Sequence, residues 1–81
     1  MNVRVKLFAV AKQRVGQSEI DVELPDTPTV RQLRGAIIEQ YPLLADVLAH
    51  ARLAVNSEYA ADAAVISSTA EVAVIPPVSG G

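Results

Sequence analysis

Cysteine is absent from this 81-residue chain, and histidine occurs once, at position 50. The first absence removes disulfides, thiolate metal sites and any side chain that would attack or carry sulfur. The second removes Cys-His pairs and multi-histidine metal centres. A lone imidazole also lacks a partner to orient it, so His50 reads as a surface or capping residue. Aromatics are scarce as well, limited to Phe8, Tyr41 and Tyr59. Half the residues are apolar (51%), mostly alanine and valine, so a compact aliphatic core is expected. No apolar run approaches the roughly 20 residues that span a bilayer. The opening Met1-Asn2-Val3-Arg4-Val5-Lys6 alternates and lacks the continuous apolar stretch of a signal peptide. Seven basic and nine acidic residues are scattered along the chain and form no basic stripe of the kind that binds nucleic acid. The expectation is one small cytoplasmic domain, with neither membrane nor nucleic acid as partner. Glycine gives no phosphate-binding loop, because Gly16 and Gly35 stand alone. Gly35 falls mid-helix at some cost, where it is expected to permit close packing.

What is present is patterned. Val3, Val5 and Leu7 alternate with Arg4, Lys6 and Phe8, the period of a half-buried strand, which puts Phe8 on the same face as two charges. Ile20, Val22 and Leu24 alternate likewise and predict a second strand, antiparallel to the first. Between them, Ala9 to Val15 reads as about one helical turn closed by Gly16. Pro25-Asp26-Thr27-Pro28 is a loop. Thr29 then opens the main helix, with Gln32 completing a capping box, and Pro42 stops it near Gln40. Val30, Leu33, Ile37 and Tyr41 form the apolar stripe, widened by Ala36 and Ile38. Leu44, Val47 and Leu48 are expected to point inward from a short second helix. Leu53–Val55 and the residues around Tyr59 read as strands joined at Asn56-Ser57. Val65 and Ile66 are the expected anchors of the following connection. Glu71–Ile75 is the last strand, with Val72 and Val74 inward, and Pro76-Pro77 ends it. With a helical crossover after the hairpin, the first and last strands can lie side by side in parallel. The predicted fold is α+β: a mixed sheet packed on one main helix, the β-grasp arrangement. It spans residues 1–75 and is followed by a flexible tail, 76–81.

Ser57, Ser67, Ser68 and Thr69 fall in turns and loops, and Asp26, Asp46 and Asp62 are isolated in sequence. The tail is therefore the one plausible reactive element. A Gly-Gly ending is often only frayed chain. Here, however, a strand runs into a diproline that stiffens the exit path. After Val78 come only Ser79, Gly80 and Gly81, with no Cβ at the last two positions to obstruct a narrow channel. The expected tip is a free carboxylate on Gly81. Six residues at roughly 3.3 Å each reach about 20 Å, a length suited to delivery into another protein's active site.

Pro76-Pro77-Val78-Ser79-Gly80-Gly81, preceded by Glu71-Val72-Ala73-Val74-Ile75, resembles the ending of the small subunits of molybdopterin synthase. These are the ubiquitin-like sulfur carriers of molybdenum cofactor biosynthesis. The resemblance extends over essentially the whole chain, through Leu7-Phe8-Ala9, Thr29-Val30-Arg31-Gln32-Leu33 and Ala54-Val55-Asn56. It implies that an E1-like enzyme uses ATP to adenylate Gly81, that a sulfur donor then leaves a thiocarboxylate there, and that the loaded arm enters the large synthase subunit. Sulfur passes there to the pterin precursor. It further implies a two-plus-two heterotetramer, no cofactor or metal bound by this chain, and catalytic side chains supplied by its partners. Two positions depart from the family: Thr69-Ala70 replaces a Gly-Asp pair, and Lys12 stands where arginine is common, which weakens a bidentate contact to a partner carboxylate.

The residues also predict a docking surface. Alternation places Phe8 and Ile75 on the outward face of neighbouring strands, and clustered exposed apolar groups mark partner sites. Tyr59 matches an interface hydrophobe of the family. Thiamine-type sulfur carriers, protein modifiers that form isopeptide bonds, and plain interaction modules remain the alternatives.

Overall fold

The computed structural model describes residues 1–77, and in it the period-2 runs are strands. β1 (Asn2–Leu7) buries Val3, Val5 and Leu7, while β2 (Glu19–Glu23) buries Ile20 and Val22. The two pair antiparallel, with Val5 opposite Ile20. Between them lies α1 (Ala9–Val15), seven residues and so close to two turns, longer than the single turn expected from sequence. Gly16 closes it in the left-handed region at φ 76°, donating its N–H to the Lys12 carbonyl.

α2 (Val30–Gln40) starts as its capping box requires: the Gln32 N–H donates to Thr29 Oγ1 at 3.2 Å, and the Thr29 N–H to Gln32 Oε1 at 2.8 Å. Val30, Leu33 and Ile37 are fully buried against the sheet. Gly35 lies away from that stripe, and a Cβ added there would meet nothing within 4 Å. The close packing expected of it is thus absent. A 3₁₀ turn (Pro42–Leu44) and α3 (Ala45–Leu48) then bury Leu44, Val47 and Leu48, as predicted. Arg34 reaches from α2 to donate to the carbonyls of Leu48 and Ala51; the first is an acceptor that the end of α3 leaves open.

β3 (Arg52–Val55) turns through Asn56 and Ser57 into the two-residue β4 (Glu58–Tyr59). Both turn residues have positive φ, 52° and 69°, as a type I′ hairpin demands. In the connection that follows, only Ile66 is an anchor. Thr29 bridges Val65 through the backbone, and alternation then sends Ile66 into the core and Val65 outward, 64% exposed. β5 (Val72–Ile75) buries Val72 and Val74. The sheet order is β2-β1-β5-β3-β4, with β5 central, parallel to β1 and antiparallel to β3. This mixed five-stranded sheet on one main helix is the β-grasp fold.

The outer edge of β2 is covered by side chains. Gln40 Nε2 donates to the Glu23 carbonyl at 2.9 Å while the Glu23 N–H donates to Gln40 Oε1 at 3.0 Å. Tyr41 adds a hydrogen bond to the Asp21 carbonyl. One amide side chain thus does part of what a neighbouring strand would do, and blunts an edge otherwise open to association. Among the described residues, no helix is long and apolar enough to cross a membrane.

Candidate functional site: the outer sheet face at the root of the tail

The pleat of β1 continues one residue past the strand. Phe8 is extended (φ −128°, ψ 157°). Because Leu7 is buried, Phe8 takes the outer face, 48% exposed. Ala9 then adopts φ 50°, a conformation that costs a residue with a side chain about 1 kcal/mol or more, and turns the chain into α1. Phe8 is therefore the last outward residue at this end of β1.

Register brings the other predicted residues beside it. Lys6 pairs with Ala73 and Leu7 with Val74, so one further step along the parallel strands sets Phe8 next to Ile75. On the other side of β5, Arg52 lies opposite Ile75 and Ala54 opposite Ala73. Tyr59 lies opposite Ala54 and is 59% exposed. Phe8, Ile75 and Tyr59, widely separated in sequence, thus share one face. Lys12 joins them at its rim, where it and Phe8 line the same depression beside Lys6 and Ser18.

Small residues shape this face. Ala54 is only 9% exposed yet stands outside the core cluster: it is the floor of the outer surface. Beside it lie two shallow depressions. One of about 250 Å³ is bordered by Lys6, Phe8, Ser57, Glu71 and Ala73, and one of about 200 Å³ by Ser57, Tyr59 and Ile75. Both are open hollows of a size to receive side chains of a docking protein. Among the described residues, no three His, Cys, Asp or Glu side chains converge to hold a metal ion.

The tail leaves from the middle of this arrangement. Ile75 and Pro76 are half-buried and Pro77 is exposed. Val78, Ser79, Gly80 and Gly81 lie outside the described residues. The sequence reading missed Arg52, whose guanidinium carbon sits 4.3 Å from the centre of the Tyr59 ring. It also missed the alanine floor. Both depend on how β3 registers with β4 and β5, for which the strand pattern alone carries no signal.

The sequence matches the ThiS family over residues 5–81. The chain belongs to the ThiS family. A molybdopterin synthase sulfur carrier subunit from Caenorhabditis briggsae is 41% identical to it, over all of this chain and 99% of that one. The protein of the same name from Dictyostelium discoideum is 40% identical, over 96% and 94% of the two chains. Among solved structures, small archaeal modifier protein 1 from Haloferax volcanii superposes over 100% of both chains with a TM-score of 0.86 at 28% identity. For this ThiS-family chain, the fold expected from sequence and the observed fold agree.

Proposed function

We propose that this ThiS-family protein is the sulfur carrier subunit of a molybdopterin synthase, with Gly81 as the loaded residue. The observation that carries the reading is the placement of Ile75 and Pro76 at the end of the central strand. An apolar docking face surrounds them, and the chain continues as Pro77-Val78-Ser79-Gly80-Gly81. Full-length likeness to carrier subunits of that name supports it.

A C-terminal carboxylate has a pKa near 3.5 and is ionised at neutral pH, hence a poor electrophile. In the proposed sequence, an E1-like partner lets a Gly81 carboxylate oxygen attack the α-phosphate of ATP, releasing pyrophosphate and forming an acyl-adenylate. The terminal sulfur of a donor persulfide attacks the acyl carbon and AMP leaves, giving an acyl disulfide. A partner thiol then attacks the donor's inner sulfur, so that a disulfide forms on the partner side and the thiocarboxylate is released on Gly81. The tail then enters the large synthase subunit, in a two-plus-two assembly, where sulfur is transferred to the pterin precursor. Pro76 and Pro77 direct the arm, Phe8, Ile75 and Tyr59 seat the partner, and Lys12 contributes charge at the rim. The setting for this chemistry is the cytoplasm, and ATP is bound by the partner alone.

Intact-mass measurement after incubation with the activating enzyme, ATP and a sulfur source tests the reading. Replacement of one terminal oxygen by sulfur is expected, and full synthase activity in a chain lacking Gly81 would refute it. The likeness to an archaeal modifier favours a second reading, attachment of Gly81 to lysines of other proteins. Gly81-linked conjugates in cells, without any thiocarboxylate, would establish that reading in place of the first.

A further inference from the structure

Cations and acids share the outer face, but not every cation on it is ion-paired. Arg4 is met by Asp21 at 3.3 Å and Glu19 at 3.8 Å. Lys6, Lys12 and Arg52 have no carboxylate within ion-pair distance among the described residues; Glu19 stands opposite Lys6 and borders a depression with both lysines, and Glu71 borders another with Lys6. Arg52 differs from the two lysines in being held. Its guanidinium rests over the Tyr59 ring, an attraction that restrains an exposed side chain, while its donors have no acceptor among the described residues. Register sets it opposite Ile75, at the root of the tail.

We propose that Arg52, seated on Tyr59, is a docking residue that pairs with a carboxylate on the protein receiving the tail, beside the apolar surface that covers Phe8 and Ile75. The inference rests on the docking reading above and adds the chemistry of the partner's surface. An apolar patch of alanine, isoleucine and phenylalanine supplies burial but is non-directional. A guanidinium fork meeting a carboxylate fixes orientation, because both groups are planar and the contact is bidentate. The sign of the charge is informative as well. The chain is acidic overall, at −2, so general attraction would favour a basic partner, whereas the root of the tail selects an acidic group.

The test is titration of the full-length protein into a purified molybdopterin synthase large subunit at low and high salt, using wild type, Arg52→Lys and Arg52→Glu. Thermal unfolding of each variant checks that it is folded. Wild-type affinity should fall as salt rises. Arg52→Lys keeps the charge and the salt dependence but loses the fork, and should bind roughly tenfold more weakly, as expected when one charge-assisted hydrogen bond is lost. Arg52→Glu should bind more weakly still, with its salt dependence abolished or reversed. Variants that match wild type, or that lose affinity while Arg52→Glu keeps the wild-type salt dependence, overturn this inference alone. Failure of the wild type itself to bind overturns the docking reading and this inference with it.

Discussion

Gly35 offers a clean measurement of what this domain gives up in its main helix. It is the sixth of eleven residues in α2, far from either end, where glycine costs about 0.8–1.0 kcal/mol relative to alanine. Two things normally cancel the gain from replacing such a glycine: a steric clash, or a backbone conformation that only glycine tolerates. Neither operates here. A Cβ at position 35 meets nothing within 4 Å, and Gly35 is not among the positive-φ glycines. The new methyl group would sit in solvent, so no burial adds to or subtracts from the helix term. Gly35→Ala should therefore stabilise the domain by about 1 kcal/mol, which for a domain of this size raises the melting temperature by roughly 4–8 °C. In urea the midpoint should rise with an unchanged m-value. Because α2 covers the inner face of the sheet and the candidate site lies on the outer one, affinity for the large subunit should stay at the wild-type level. An unchanged or lowered melting temperature would refute the reasoning, since it would mean that Gly35 has a structural role the packing does not reveal.

Three further outcomes follow from the same geometry. Phe8→Ala should weaken binding to the large subunit roughly tenfold or more, as loss of an aromatic anchor does, with cooperative unfolding retained; equal affinity in a titration would remove Phe8 from the interface. At the β3–β4 hairpin, Ser57→Gly relieves a left-handed residue and should stabilise by about 1 kcal/mol. Asn56→Ala should destabilise by about 1–2 kcal/mol, because it keeps the strain and removes the acceptor for the Glu71 N–H at 3.0 Å; shifts of the same sign in chemical denaturation would contradict the type I′ assignment. Asp46 accepts a 2.7 Å hydrogen bond from Arg14 Nη1, which holds its carboxyl below the ordinary range. A carboxylate with a depressed pKa stabilises the fold above its unfolded pKa and loses that contribution as pH falls through the folded value. Asp46→Asn should thus lower the melting temperature slightly at neutral pH and match wild type in strong acid; a gap that persists in acid would show that the ion pair is not its cause.

Legibility from sequence followed the range of the interactions involved. β1, β2 and the capped α2 depend on local periodicity and a capping box, so Val5, Ile20, Thr29 and Gln32 all do what their spacing implies. Ile75 and Phe8 were placed on a shared face because alternation and one parallel pairing suffice to put them there. Val65 failed because a hydrophobic residue beside another gives no sign of which one turns inward; a long-range bridge to Thr29 decides it. Gly35 failed for a related reason, since a glycine in a helix looks the same in sequence whether a neighbouring backbone approaches or solvent does. Arg52 was invisible as a site residue because its meaning depends on two registers at once, β3 with β5 and β3 with β4.

The place of β5 in the sheet bears on why a carrier would be built this way. An arm growing from an edge strand would begin at a point held on one side only, and edge strands are where pairing frays and exchanges. Here the last strand is hydrogen-bonded on both sides, with β1 and β3 flanking it and Val72 and Val74 buried beneath it. The ladder then ends abruptly, because neither Pro76 nor Pro77 has an N–H to donate. The sheet's hold on the chain therefore ends between Ile75 and Pro77. A partner that grips Phe8, Ile75 and Arg52 simultaneously fixes where the arm starts. The greatest reach from that grip to Gly81 is then set by the number of residues, at most about 20 Å for six. On this argument, inserting one residue after Pro77 should impair sulfur transfer in the large subunit more than docking to it, since the grip is untouched while the tip is carried past its station by about 3.3 Å. The check is to measure affinity and transfer rate on the same variant. A proportionate fall in both would mean that the arm, and not the face, carries the binding.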